Sequence, residues 1–216
     1  MKTHSTTQYL KWFLYAAVMV SSIFVPMSAH KAKAEGVPRA GYANGFNEQF
    51  NGYPSNWTIF SGSWLYGGGT VRGIGRTNDF GEIYFKQAAY SNFDYQVRMK
   101  RTGCAGCINN VTFRDTGTNA GYFGYNNNGF YSIEAKIGSY YYKWRNWTPS
   151  SAIVKGGYNT LRVVAKGNSY VFLINNKTVS TMVKSGLSSG VVGVELYSVV
   201  SGGNYLDVDW AVLARR

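Results

Sequence analysis

Among the groups this 216-residue chain has for acid–base, nucleophilic or metal chemistry are ten acidic side chains, two cysteines and two histidines. Both histidines, His4 and His30, fall within residues 1–34, together with Lys2, Lys11, Lys31 and Lys33 and no acid. Beyond residue 34 there is no imidazole. That part of the chain can therefore hold no Ser-His-Asp or Cys-His nucleophile system, no imidazole general base and no His-ligated zinc. Carboxylates remain. A pair about 5–5.5 Å apart does retaining glycoside hydrolysis, and a pair about 6.5–9.5 Å apart does inverting hydrolysis. Glu134, on the polar side of an alternating run, is the candidate acid, but no partner for it is evident in the sequence. The pieces nearest to a carboxylate set elsewhere are Asp207-Val208-Asp209 and an isolated Glu195. No catalytic residue is assigned.

Other residue types point to binding. Arg98, Arg114, Tyr122, Glu134, Tyr141 and Arg145 lie on polar sides of alternating runs. If those runs neighbour one another in a meander, the six residues line one glycan groove, and a solvated sheet face is the rival reading. Residues 139–147 (SYYYKWRNW) form the most aromatic window. Alternation puts Tyr140, Tyr142 and Trp144 on one side and Tyr141, Lys143 and Arg145 on the other, one set serving the core. Asp207 and Asp209 share one side of the last run, where backbone carbonyls could complete a structural calcium site of 6–8 oxygens. No other cofactor is expected. Cys104 and Cys107 have no βαβ surroundings for redox work and no second half of a zinc site. In an exported protein they form a disulfide that pins a hairpin loop, whose stapled tip could rim a binding groove.

The elements that must position these residues are strands. Runs of Tyr, Val, Phe and Ile alternate with polar residues and are separated by Gly, Asn and Ser clusters. Phe93, Tyr95, Val97 and Met99 make one such series, and Leu206, Val208, Trp210 and Val212 another. One apolar and one polar side per strand belongs to antiparallel sheets, and two such sheets packed together make a sandwich. Asn128-Gly129 and Asn175-Asn176 read as hairpin turns. Eleven to thirteen strands are expected at the spacing of an all-β sandwich.

Residues 1–34 read as a signal peptide. They have a basic start, an apolar stretch over residues 12–27 broken only by Ser21 and Ser22, and Ala32-Lys33-Ala34 before Glu35. The stretch is short for a membrane span of about 20 residues, and an uncleaved anchor is the rival. No span is expected after cleavage. Residues 35–41 form a short tail and residues 42–214 one sandwich domain. Removing the signal lowers the net charge from +12 to +8. A positive balance favours an anionic extracellular polymer, but the basic residues are scattered and no nucleic-acid motif occurs. The expected location is extracellular, periplasmic or at the cell surface.

An ordered series of segments carries a family resemblance. Phe50, Trp57 and Gly62-Ser63-Trp64 stand at the start, followed by residues 109–115 (NNVTFRD), 121–125 (GYFGY) and 129–133 (GFYSI). Residues 147–153 (WTPSSAI), 157–167 (GYNTLRVVAKG), 170–176 (YVFLINN), 189–195 (SGVVGVE) and 207–212 (DVDWAV) complete it. The chain resembles the concanavalin A-like lectin/glucanase superfamily, closest to its laminin-G-like and family-16-glycosidase-like secreted domains. The resemblance implies a two-sheet antiparallel jelly roll that binds glycans, often with calcium, a subset hydrolysing them. Family-16 glycosidases carry an E-x-D-x-(x)-E pattern on one strand, and this chain has none. The expected function is a secreted, non-catalytic, lectin-like domain for an extracellular polysaccharide or wall polymer. A glycoside hydrolase or lyase with a non-standard carboxylate pair is the first alternative, and a structural or adhesive matrix protein the second.

Overall fold

A computed structural model describes residues 45–216. The expected signal peptide and tail lie outside the described residues. Among the described residues there is no helix, and the chain forms fifteen strands. In order these are β1 (Phe46–Glu48), β2 (Trp57–Ser61), β3 (Ser63–Gly67), β4 (Thr70–Ile74), β5 (Asp79–Tyr90), β6 (Phe93–Thr102), β7 (Ile108–Asp115), β8 (Ala120–Tyr125), β9 (Phe130–Ile137), β10 (Tyr140–Pro149), β11 (Asn159–Lys166), β12 (Ser169–Ile174), β13 (Lys177–Val183), β14 (Gly190–Ser198) and β15 (Tyr205–Arg215). The excess over the expected number comes from pieces with no room for alternation: β1 has three residues, and Gly62 alone separates β2 from β3. Gly62 has a φ of 77° and packs so close to Gly81 that a Cβ would sit 2.6 Å from that residue's Cα.

All neighbouring strands pair antiparallel, in two sheets. One runs β13-β12-β11-β6-β15-β4-β3, with β1 also on β15, and the other runs β10-β9-β8-β7-β14-β5-β2. The apolar sides meet. Tyr95, Val97 and Met99 of β6, Leu161 and Val163 of β11 and Phe172 of β12 face Val111, Phe113, Phe123, Ile133, Val194 and Ile83 of the other sheet, all fully buried. Rings lock the layers, with Phe123 and Phe172 centroids 5.2 Å apart and Phe46 stacked 4.0 Å from Phe85. Buried tyrosines need partners for their hydroxyls. Tyr95 donates across the sandwich to the Gly193 carbonyl at 3.0 Å, and Tyr131 to that of Val179 at 2.8 Å.

Asn175 and Asn176 both take positive φ, 49° and 62°, the tight turn expected of them. Asn128-Gly129 differs. Only Gly129 is left-handed, within a four-residue loop that Asn126 organises by accepting the N–H groups of Asn128 and Phe130.

The chain changes sheets between β6 and β7, and this corrects the expected groove. Arg98 and Lys100 lie on the solvent side of the eight-stranded sheet, whereas Asn110, Thr112, Tyr122 and Glu134 lie on that of the seven-stranded sheet. They cannot line one surface. Three irregularities also reset the alternation, because an inserted residue moves everything after it to the opposite side. At β7, Arg114 adopts a φ of 50°, and register with β14 slips there. At β10, register slips between Lys143 and Arg145. At β15 it slips between Val208 and Trp210, so Ala211 and Leu213 take the core positions that simple alternation gives to Trp210 and Val212.

Candidate functional site

The solvent side of the seven-stranded sheet carries two rows of functional side chains. In one row Glu82 of β5 stands directly opposite Glu195 of β14, which stands opposite Asn110 of β7, which stands opposite Gly124 of β8. In the next, Tyr84, Gly193, Thr112, Tyr122, Glu134 and Lys143 follow one another across β5, β14, β7, β8, β9 and β10. Directly opposed side chains in such pairs start from Cβ atoms about 5 Å apart, so each row is a contact network. The two glycines shape it. A Cβ on Gly193 would lie 2.5 Å from Tyr84 Cδ1, so the Tyr84 ring covers that strand. A Cβ on Gly124 would lie 1.8 Å from Asn110 Oδ1, so the Asn110 amide occupies that space.

Glu195 is only 6% exposed although it lies on the sheet's solvent side. Asn110 Nδ2 donates to its Oε1 at 2.5 Å. Burial pushes its carboxyl well above the usual range, and the hydrogen bond and charge of Glu82 push it further. Desolvation disfavours the charged form, and a second carboxyl on the same site does the same. Glu195 therefore keeps its proton, beside Glu82, at pH values where isolated glutamates are ionised. Burial also raises the Tyr84 phenol, followed by the charges of Glu82 and Asp115, and raises that of Tyr122, with Glu195 next. Both remain hydroxyl donors. Phe60 meets Tyr84 edge-on at 5.9 Å. Glu134 forms an ion pair with Lys143. Thr112 Oγ1 is buried without a hydrogen-bond partner.

The sequence-derived candidates divide. Tyr122, Glu134 and Tyr141 share this face. Tyr141 is 59% exposed beside Lys136 and contributes to the electrostatics of Tyr122. Arg145 does not join them. The slip in β10 sets it opposite Ile133, a core residue, and turns its guanidinium toward Ser180 Oγ at 3.5 Å. Of the set Tyr140, Tyr142 and Trp144, Trp144 packs against the core, 5.3 Å from Tyr170, while Tyr140 and Tyr142 stay exposed on an edge strand.

Arg114 is 1% exposed and corrects the groove again. It donates to the carbonyls of Ser91 at 3.0 Å, Leu187 at 2.6 Å and Gly167 at 2.8 Å, and to the Tyr170 hydroxyl at 2.5 Å. This arginine ties loops at one end of the sandwich. Arg98 lies on the opposite outer face, paired with Asp209 and 4.1 Å over the Tyr158 ring.

Asp207 accepts a two-pronged bond from Arg72, at 2.6 and 3.0 Å. With a guanidinium against each aspartate, cations already stand where a calcium ion would need 6–8 oxygens. Among the described residues no group of three or more His, Cys, Asp or Glu side chains is placed to hold a metal. The two aspartates do not fit calcium. Cys104 and Cys107 are joined in a disulfide, as expected.

Sequence reasoning missed the Glu82–Glu195 pair and Tyr84. Their signal was present locally, since Glu82 and Tyr84 flank Ile83, and Glu195 sits between Val194 and Leu196. Nothing local says that these two strands are neighbours.

Residues 45–197 match the 3-keto-alpha-glucoside-1,2-lyase-like domain family. No curated protein matches the chain. Solved structures share the fold. A β-glucanase of Bacillus licheniformis superimposes with a TM-score of 0.66 at 14% identity, over 80% of this chain and 98% of that one. The carbohydrate-binding module CBM66 of Bacillus subtilis gives 0.60 at 15%, over 71% and 92%. The Crh5 transglycosylase gives 0.64 at 10%, over 81% and 85%. At such identities the likeness is one of architecture.

Proposed function

Because the chain belongs to the 3-keto-alpha-glucoside-1,2-lyase-like domain family, on a concanavalin A-like sandwich, we propose that the solvent side of its seven-stranded sheet binds a carbohydrate. One observation carries the reading. A buried polar floor of Asn110, Thr112 and Glu195 is flanked by the partly buried rings of Tyr84 and Tyr122, with Glu134 and Lys143 beside them. Rings offer apolar faces to sugar C–H groups while their hydroxyls stay available as donors. The glucanase, carbohydrate-binding module and transglycosylase of like fold support the same direction. A disulfide belongs to an oxidising compartment, which supports an extracellular partner.

The test is a glycan array followed by titration calorimetry on the hits. Tyr122→Ala and Glu134→Gln should each weaken saturable binding, while Arg98→Ala, on the other sheet, should leave it unchanged. Full affinity in both face variants refutes the assignment.

The Glu82–Glu195 pair favours a second reading, catalysis on the bound sugar. Hydrolysis needs carboxyls standing apart on either side of the scissile bond. These two stand directly opposite on neighbouring strands, and Glu195 is held in its protonated form, which suits delivery and removal of a proton at one position, as an elimination requires. Turnover of a 3-keto glycoside that Glu195→Gln abolishes without loss of binding would establish this reading. Saturable binding without turnover would leave the lectin-like one.

A further inference from the structure

The geometry points to a second binding site, at the end of the sandwich, for an anionic sugar residue. It does not depend on the sheet-face reading. A groove of about 470 Å³ lies between the β8–β9 turn and the segment after β10, and its walls include Phe130, Pro149, Ile153, Asn128, Ser151 and Lys155.

The groove is built from held backbone. Asn126 fixes the turn through the N–H groups of Asn128 and Phe130. The Ser150 N–H donates to the Gly129 carbonyl at 2.9 Å, which ties the two walls together. On the far side of Asn128 comes the disulfide loop, where a Cβ on Gly106 would stand 3.7 Å from Asn128 Nδ2. The Cys104–Cys107 loop thus lies beside the groove's rim.

The chemistry of the lining selects the ligand. Phe130 and Pro149 present an apolar surface that fits the C–H side of a pyranose ring. Asn128 and Ser151 offer hydrogen-bonding groups beside it. Lys155 is the one charged residue of the lining and takes part in none of the ion pairs among the described residues. Its stem lies across Gly129, in the space where a side chain would stand, with Cε 2.8 Å and Nζ 3.5 Å from that Cβ position. An exposed ammonium at the edge of an apolar floor, with no carboxylate in the lining, complements a sugar carrying a carboxylate or a sulfate ester. The net positive charge of the chain draws the same class of polymer.

The test titrates galactose trisaccharides into the full chain at low salt, in three forms: uronate, sulfated and neutral. One or both anionic forms should bind saturably and tighter than the neutral one. Lys155→Met should weaken that binding about tenfold, the loss of one charge-assisted hydrogen bond, and Lys155→Arg should restore it. Arg98→Ala, which removes a positive charge from the outer face of the other sheet, should not alter it. The uronate and sulfate arms tell which anionic group is taken. Equal binding of the neutral sugar, no saturable binding of either anionic form, or an unaffected Lys155→Met overturns the inference.

Discussion

Replacing Glu195 by glutamine should change how stability depends on pH more than it changes the fold. In the native protein burial holds the Glu195 carboxyl well above the usual range, and Glu82 raises it further. In the unfolded chain it titrates near the ordinary glutamate value of about 4.3. Between those two values the native state binds the extra proton, so stability falls as pH rises through that window. One such proton makes the slope at most about 1.4 kcal/mol per pH unit. The loss begins near the unfolded value and levels off once the native group also ionises. The introduced glutamine keeps an oxygen that can accept from Asn110 Nδ2, and its amide can donate to Glu82, so the neutral arrangement is preserved at every pH. Urea unfolding of both proteins from about pH 4 to pH 8 should give curves that meet at the acid end. They should then separate in favour of Glu195→Gln as pH rises. Parallel curves, or a wild type that gains on the variant with pH, would refute a proton held by Glu195 on this face.

Three further outcomes follow from the same contacts. Arg114→Met should cost about 3 kcal/mol or more in urea unfolding, because it leaves three loop carbonyls and the Tyr170 hydroxyl without their donor. A cost below about 1 kcal/mol would mean that water replaces it. Gly124→Ala places a Cβ 1.8 Å from Asn110 Oδ1. It should displace the amide from Glu195 and weaken glycan binding at the sheet face while leaving the Lys155 groove unaffected. Reducing the disulfide, whose cysteines are only three residues apart, should remove about 2 kcal/mol on loop-closure grounds. By calorimetry that lowers Tm by about 4–8 °C for a domain of this size, and an unchanged Tm would show that the loop is held by its other contacts.

What the sequence determined by itself is local. Alternation with period two made β-strands of residues 93–100 and 131–137, and side-chain volume put Tyr95, Val97, Phe113 and Ile133 in the core. The Asn175-Asn176 turn and the Cys104–Cys107 pairing depend on neighbours a few positions apart, and both were legible. So was the exclusion of histidine chemistry beyond residue 34. Tertiary structure decided which polar sides meet. Sheet membership depends on pairing between strands far apart in the chain, so Arg98 and Tyr122 ended on opposite outer faces, while Glu82 and Glu195 became neighbours. Parity depends on single inserted residues: the slip at Arg114 carried a surface-patterned arginine into the interior, and the slip after Lys143 turned Arg145 away from Tyr141. A period of two carries no record of where it will be interrupted. The candidate site is therefore a product of long-range register acting on residues whose chemical types the sequence already displayed.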